Sequence, residues 1–170
     1  SGWERINTST IAAFILVDLG VGIAKHGNKA ASGRFGSFDL LESLGVDIEK
    51  SAGELEKSYL KTGLAFIFAR NFHPVMKFFA EARKKIGKPT VFNILGPLLN
   101  PANPEMQIIG TSFKKQMRLL AEVSKLLGRK KVMVVRGENG LDEVTLTGVT
   151  DVVELKNGRI LEYKIKPEDF

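Results

Sequence analysis

The sequence contains no cysteine among its 170 residues, which excludes disulfides, thiolate metal sites and a cysteine nucleophile. It also lacks a run of about 18 apolar residues, the length that a membrane-spanning helix needs. No basic and then apolar secretion signal opens the chain, so we expect a cytoplasmic location and no membrane partner. Hydrophobic residues make up 44% of the chain and charged residues 26%, which is typical of a globular domain with a buried core.

Acidic residues are outnumbered by basic ones. Nineteen Asp and Glu stand against 25 Lys and Arg, which gives a net charge of +6. A positive surplus favours anionic ligands, among them phosphorylated metabolites and nucleic acid, although a solvated basic surface fits the charge equally well. No basic helix interleaved with aromatic residues is present in the sequence, so the pattern does not favour nucleic acid.

The order of capping residues, apolar runs and turns predicts an α/β fold with a largely parallel sheet, flanking helices and an antiparallel edge hairpin. Helices are predicted at residues 11–17, after a Ser9-Thr10 cap, and at residues 37–44, 76–86 and 114–127. A further helix is predicted to start at Ser51, where Glu54 completes a capping box, and residues 66–79 are predicted to be helical in parts. The predicted strands cover residues 19–24, 90–95, 107–111, 131–135, 143–147, and 152–155 paired with 160–165 across Asn157-Gly158. Residues 96–101 are predicted to form a turn.

The segment from Lys25 to Ser37 is the strongest candidate for a binding site. It follows a predicted buried strand and combines glycines with Lys, Asn, Ser and Arg side chains. Glycines let a ligand approach the backbone closely, while amides, hydroxyls and a lysine supply positive potential for a polyanion. The segment therefore predicts a phosphate-binding loop rather than a surface turn with chance charges. His26 shows no partner nearby in sequence, which is more typical of a packed or solvated histidine than of a catalyst.

Three further features are open to two interpretations each. Asn7 to Thr10 indicates an anion site at a helix start or simple N-capping, and alone it favours capping. The Gly137-to-Glu143 segment follows a predicted strand, and its adjacent carboxylates suit Mg²⁺, although alone it is most typical of a polar turn. Arg83 fits a carboxylate clamp or a solvated basic face. Taken together, the hydroxyls, the lysine loop and the carboxylates indicate a magnesium-bound diphosphate.

Several of these motifs occur in the order typical of one enzyme family. They are Asn7-x-Ser9-Thr10, Lys25-His26-Gly27-Asn28-Lys29-Ala30-Ala31-Ser32, Gly36-Ser37, Phe72-His73-Pro74, Phe92-Asn93-Ile94-Leu95-Gly96-Pro97-Leu98-Leu99-Asn100-Pro101 and Gly140-Leu141-Asp142-Glu143. The sequence resembles the anthranilate phosphoribosyltransferases of tryptophan biosynthesis over its whole length. The resemblance implies the α/β domain shared with pyrimidine nucleoside phosphorylases. It also implies transfer of phosphoribose from phosphoribosyl pyrophosphate (PRPP) to the amine of anthranilate, with Mg²⁺.

The resemblance also assigns site residues, without a firm catalytic residue. The expected PRPP-binding residues are Asn7, Ser9, Thr10, Lys25, His26, Gly27, Asn28, Lys29, Ala30, Ala31, Ser32, Gly33 and Ser37. The expected anthranilate-binding residues are Asn28, Arg83, His26 and His73, and the expected metal ligands are Ser9, Asp142 and Glu143.

The resemblance further implies that residues 1–170 form part of one α/β domain. The family's N-terminal helical domain, through which its members form homodimers, and its C-terminal end have no counterpart in this sequence. The family's Gly-Thr-Gly-Gly loop, which directly precedes the position of Ser1, is also absent, and for that reason we expect less than full activity from this chain alone. Two rivals stay open: a pyrimidine nucleoside phosphorylase-like enzyme, which the Lys25 loop and the acidic pair disfavour, and a non-catalytic nucleic-acid-binding relative.

Overall fold

The computed structural model describes residues 7–29, 36–88 and 90–170. These residues divide into two compact units. The N-terminal unit contains the described residues up to Thr90 together with Asn100–Ala102, and the C-terminal unit contains Val91–Leu99 and Asn103–Phe170. The expectation of a single α/β domain over residues 1–170 stays a prediction. None of the helices in the described ranges is long and apolar enough to cross a membrane.

The N-terminal unit is built on a two-stranded parallel sheet. Its elements are α1 (Thr8–Asp18), β1 (Ile23–Gly27), α2 (Ser37–Ser43), α3 (Ala52–Thr62), β2 (Leu64–Phe68), α4 (Ala69–Phe72), a 3₁₀ segment (Pro74–Phe79) and α5 (Ala80–Ile86). Strands β1 and β2 pair from Ile23 with Leu64 to Gly27 with Phe68. Phe66 and Phe68 pack with the helix residues Phe38 and Leu41, whereas Ala65 and Ile67 pack with Leu55. Both faces of this sheet are therefore covered.

The C-terminal unit is built on a four-stranded sheet in the order β3-β4-β5-β6. Its elements are α6 (Val91–Leu98), β3 (Met106–Gly110), a 3₁₀ turn (Lys114–Gln116), α7 (Met117–Leu126), β4 (Lys131–Gly137), β5 (Thr150–Lys156), β6 (Arg159–Ile165) and a 3₁₀ turn (Pro167–Asp169). The β3–β4 pair is parallel, while β4–β5 and β5–β6 are antiparallel. The predicted hairpin at Asn157-Gly158 is confirmed, because both residues have the positive φ that such a tight turn requires.

The start of β1 differs from the prediction, because the end of α1 uses residues expected in the strand. Gly20 has a φ of +84°, and its N–H donates to the Val17 carbonyl at 2.9 Å. The N–H of Val21 donates to the Leu16 carbonyl at 2.9 Å, which completes a Schellman-type helix ending. The strand therefore begins at Ile23 rather than residue 19, and Lys25 lies inside it rather than after it.

One strand was not predicted, and one apolar run adopts the opposite element from the one predicted. Residues 64–68 form the unpredicted strand β2, because alternate side chains feed two different apolar clusters, while the prediction that residues 66–79 are helical in parts is confirmed by α4 and the 3₁₀ segment. Residues 90–95 were expected to form a strand, and α6 takes their place. Ile94 and Leu98, four residues apart, pack on the same core, and that spacing is the helical one. The helix also extends through Gly96-Pro97-Leu98, so the predicted turn at 96–101 starts later than expected.

The predicted strand at residues 143–147 is wrong. Threonine hydroxyls bind the backbone there and replace a strand ladder. The Thr150 hydroxyl accepts from the Thr145 N–H at 3.1 Å, and the Thr145 hydroxyl accepts from the Thr147 N–H at 3.2 Å. Residues 138–149 therefore form an irregular connection between β4 and β5, which we call the acidic loop.

Candidate functional site

The side chain of Lys25 lies in the middle of β1, opposite Phe66 in the pairing with β2. It is partly buried, and in the described ranges no carboxylate forms a salt bridge with it. Burial lowers the pKa of the Lys25 ammonium, because removal from water disfavours the charged form. A desolvated lysine that none of the described carboxylates neutralises gains from an anionic ligand, so its environment supports the predicted phosphate contact.

Gly27, at the end of β1, lies against the start of α2. A Cβ placed on Gly27 would lie 2.8 Å from the Ser37 Oγ and 3.0 Å from the ring of Phe38. The N-terminus of α2 is further held by Asp39, whose carboxylate accepts from the Gly36 N–H at 2.7 Å. The fold therefore brings Ser37 beside the Lys25 segment, as expected of two parts of one phosphate loop. Four other predicted PRPP contacts, Ala30, Ala31, Ser32 and Gly33, lie outside the described residues.

Asn28 and Lys29 follow β1 directly. The Asn28 Oδ1 accepts from the Lys29 N–H at 2.9 Å. The Lys29 ammonium lies 2.9 Å from both carboxylate oxygens of Glu42 on α2. In contrast to Lys25, Lys29 already has a counter-charge, so its contribution to anion binding is expected to be smaller.

The two histidines of the chain contact each other although 47 residues separate them. Their Nε2 atoms are 3.2 Å apart, and their rings meet edge to face with centroids 5.1 Å apart. His26 lies on β1, and His73 ends α4 at the corner before Pro74. An N–H···N hydrogen bond needs one ring to donate and the other to accept, so at least one Nε2 carries no proton. Sequence reasoning found no partner for His26 because the partner is distant along the chain.

This hydrogen bond predicts energetic coupling between the two histidines. We expect His26→Gln and His73→Gln each to lower the free energy of unfolding, and the double variant to lose less than the sum. The expected coupling energy is about 0.5–1.5 kcal/mol, the usual net value of a hydrogen bond. Urea denaturation of the four chains at one fixed pH measures it. Additive losses would show that the contact contributes nothing.

Asn7, Ser9 and Thr10 form one cap at the start of α1. The Asn7 Oδ1 accepts from the Thr10 N–H at 3.1 Å, from the Thr10 hydroxyl at 2.7 Å and from the Ser9 hydroxyl at 3.1 Å. The cap residue is therefore Asn7, and the predicted capping by Ser9 and Thr10 is wrong. Because Thr10 is buried and the exposed Ser9 bonds to the same oxygen, this geometry is that of a helix cap. Their PRPP and metal roles stay predictions.

Asn100 makes structural hydrogen bonds that the sequence motif around it did not predict. Its Nδ2 donates to the Ala24 carbonyl at 2.9 Å, and its Oδ1 accepts from the Ala102 N–H at 3.0 Å. It thereby ties residues 100–102 to β1 next to Lys25. The Asn100-Pro101 pair indicates a turn, but nothing in the sequence indicates which backbone carbonyl the Asn100 amide binds.

Arg83 lies in the middle of α5 and is partly buried. Its carbonyl accepts from the Gly87 N–H at 3.1 Å, where the helix ends with a φ of +60°. The predicted helix end at Gly87 is thus confirmed, while the assignment of Arg83 to a carboxylate ligand stays a prediction.

The acidic loop of the C-terminal unit carries Asp142 and Glu143. Asp142 is exposed and Glu143 partly buried. The carboxylate of Glu138 is already used within the loop, where it accepts from the Val149 N–H at 3.0 Å. No group of three or more metal-ligating acidic, His or Cys side chains occurs in the described ranges. Two adjacent carboxylates nevertheless fit Mg²⁺, which typically takes one or two carboxylates and fills its other positions with water and substrate phosphates.

Comparison of the sequence with protein families and with known proteins identifies the family of this chain. The chain belongs to the glycosyl transferase family, a/b domain, whose model matches residues 1–170. Within it, the chain is similar to anthranilate phosphoribosyltransferases, so the resemblance predicted from the motifs is confirmed. The anthranilate phosphoribosyltransferase of Marinomonas sp. (strain MWYL1) is 46% identical over 169 residues, which are 99% of this chain and 49% of that protein. The chain spans about half the length of the curated relatives it matches.

Solved structures share the fold. The anthranilate phosphoribosyltransferase from Thermus thermophilus is 43% identical, with a TM-score of 0.89 over 99% of this chain and 49% of that one. The enzyme from Saccharomyces cerevisiae in complex with PRPP and Mg is 32% identical, with a TM-score of 0.87 over 98% of this chain and 46% of that one. The predicted phosphoribosyltransferase-like α/β fold is therefore confirmed.

Proposed function

We propose that this chain binds PRPP and takes part in transferring its phosphoribosyl group to the amine of anthranilate. The products are N-(5-phosphoribosyl)anthranilate and diphosphate, in tryptophan biosynthesis. The observation that carries the proposal is the likeness to anthranilate phosphoribosyltransferases over 99% of the chain. Because the chain spans about half of those relatives, the activity and homodimeric assembly of a whole protein belong to the proposal too.

The departure of diphosphate is the demanding part of this reaction. The bond between ribose C1 and the diphosphate oxygen breaks, and its electron pair leaves with the diphosphate. A desolvated ammonium stabilises that growing negative charge more strongly than one in water, because the local dielectric is lower. Lys25 is the residue to which we assign this role, with the amides and hydroxyl around Gly27 and Ser37 orienting the phosphates.

The attacking group needs orientation more than activation. The anthranilate amine is neutral at pH 7, and its nitrogen forms the new bond to ribose C1 and then loses a proton. Holding the amine close to C1 supplies much of the rate, since it removes the entropy cost of a bimolecular encounter. We assign this positioning to Asn28 and the His26–His73 pair, and the anthranilate carboxylate to Arg83, whose guanidinium matches it bidentately. We assign no catalytic base.

We propose that Asp142 and Glu143 hold Mg²⁺, and the expectation that Ser9 is a further ligand stays a prediction. The yeast structure in complex with PRPP and Mg supports use of this ion. When bound, Mg²⁺ supplies positive charge that neutralises the diphosphate oxygens. The protein contributes two carboxylates that are adjacent in the chain, on the acidic loop beside the end of β3.

Two measurements test the proposal. Isothermal titration with PRPP and Mg²⁺ is expected to show saturable binding, with ribose 5-phosphate as the control that lacks the diphosphate. Anthranilate fluorescence is expected to fall only when PRPP and Mg²⁺ are both present. Absence of PRPP binding would contradict the proposal. Phosphorolysis of thymidine would instead favour a nucleoside phosphorylase, and DNA retention that persists at physiological salt a nucleic-acid-binding relative.

A further inference from the structure

Gly110, at the end of β3, lies in direct contact with the backbone of Asp142 in the acidic loop. A Cβ built on Gly110 would overlap the Asp142 carbonyl oxygen, lie 2.8 Å from its carbonyl carbon and lie 3.3 Å from its Cβ. All three of the nearest atoms therefore belong to Asp142. Gly110 is not among the glycines with positive φ, so its backbone does not by itself demand glycine. The close approach of a second backbone is the physical reason for glycine here.

Hydrogen bonds within the acidic loop explain why Asp142 reaches this strand. The loop leaves β4 at Gly137 and reverses at Gly140, which has a φ of +79°. The Gly140 N–H donates to the Gly137 carbonyl at 2.9 Å, and the Gly137 N–H donates to the Leu141 carbonyl at 2.8 Å. Leu141 is thus returned to the end of β4, beside which β3 runs in parallel. The next residue, Asp142, then lies over Gly110.

The other end of the loop is held independently. The Glu138 N–H donates to the Val149 carbonyl at 2.8 Å, while the Glu138 carboxylate accepts from the Val149 N–H at 3.0 Å. These contacts close the loop at its base but do not touch Asp142. The backbone contact with Gly110 limits how closely Asp142 approaches β3, and any larger residue at position 110 would widen that approach.

We propose that Gly110 is a positioning residue for the acidic pair Asp142-Glu143, which it holds at the end of the sheet for a divalent cation. This inference rests on the proposed function of that pair. Any side chain at position 110 would push the Asp142 backbone away from the strand and thereby move its carboxylate. Residues that orient metal ligands typically contribute about 10- to 100-fold to metal affinity.

The test is Mn²⁺ binding, followed by electron paramagnetic resonance, which needs no turnover. We expect Gly110→Ala to raise the apparent Mn²⁺ dissociation constant about tenfold or more. Gly53→Ala on α3, where an added Cβ meets no atom within 4 Å, is the matched control and is expected to bind Mn²⁺ like wild type. Asp142→Asn is expected to lose Mn²⁺, and adding Gly110→Ala to it is expected to cost little more, since both act through one ligand.

The outcomes separate this inference from the proposed function. If wild type binds PRPP and Mn²⁺ and Gly110→Ala binds Mn²⁺ equally well, the positioning role is wrong and the function stands. If wild type binds no PRPP, the proposed function is wrong. If wild type binds no Mn²⁺, the positioning role of Gly110 is wrong as well. If Gly110→Ala does not fold, amide hydrogen exchange of the wild type provides the test. Mn²⁺ is expected to slow exchange of the Gly110 and Thr111 amides together with those of the acidic loop. Unchanged exchange rates in β3 would contradict the proposal.

Discussion

Replacing Lys25 with methionine is expected to reduce turnover of PRPP and anthranilate by about 10²- to 10³-fold, the usual loss when one charge-stabilising donor is removed. Methionine keeps much of the side-chain volume and removes the charge. PRPP affinity is expected to fall as well, because the ammonium also attracts the diphosphate in the ground state. The decrease in anthranilate fluorescence gives the rate, and isothermal titration gives the affinity. The matched control is Lys57→Met on the exposed side of α3, which is expected to change neither.

The pH dependence gives a second readout for Lys25. Burial lowers its pKa in the free protein, so the ammonium loses its proton at a lower pH than an ordinary lysine with a value of 10.5. The charge needed for PRPP capture is therefore present at lower pH and is lost as the pH rises through this lowered pKa. We expect kcat/KM for PRPP to decline on the alkaline side for this reason. An identical alkaline decline in Lys25→Met would contradict the assignment.

Local rules predicted the helix boundaries best. The Ser51–Glu54 capping box is formed as expected, with the Ser51 hydroxyl donating to Glu54 at 2.6 Å and the Ser51 N–H at 2.9 Å. These hydrogen bonds lower the pKa of Glu54. The helix then ends at Gly63, whose φ is +74°. Such signals lie within a few residues of each other, so they are visible in the sequence.

Short apolar runs were predicted less well, because their structure depends on which core they meet. Residues 64–68 became a strand since their alternate side chains face two clusters, and 91–98 became a helix since Ile94 and Leu98 face one. None of these three clusters is encoded within the run that contributes to it. The threonines at 145, 147 and 150 replaced a predicted strand through hydroxyl contacts that propensity alone does not reveal.

The candidate site was predicted as a set of residue types rather than as a set of contacts. The Lys25 loop was found because glycines and donors are concentrated in one segment. The partner of His26, the amide of Asn100 on the Ala24 carbonyl and the contact of Gly110 with Asp142 all join residues far apart in the chain. Contacts of that kind arise only after the strands have paired.

The second large effect is expected from Phe38, whose ring lies close to Gly27 at the end of β1. Its side chain is 0% exposed and stacks on Phe68 with ring centroids 5.2 Å apart. We expect Phe38→Ala to lower the free energy of unfolding by about 3–5 kcal/mol, through lost burial and a cavity. Since domains of this size are typically stable by about 5–15 kcal/mol, this is a large share of the total. Urea denaturation followed by circular dichroism measures it, with Leu44→Ala, at a 61% exposed site on the same segment, as the control.

A double variant tests whether Phe38 also shapes the site. Gly27→Ala alone is expected to destabilise the chain, because the new Cβ would lie 3.0 Å from the Phe38 ring. In the Phe38→Ala background part of that space is empty, so the same Cβ is expected to cost less. The expected coupling is about 0.5–3 kcal/mol. Strictly additive losses of unfolding free energy would mean that the Ser37 hydroxyl, 2.8 Å from the same Cβ, alone restricts the space at Gly27. Phe38 would then stabilise the fold without restricting Gly27.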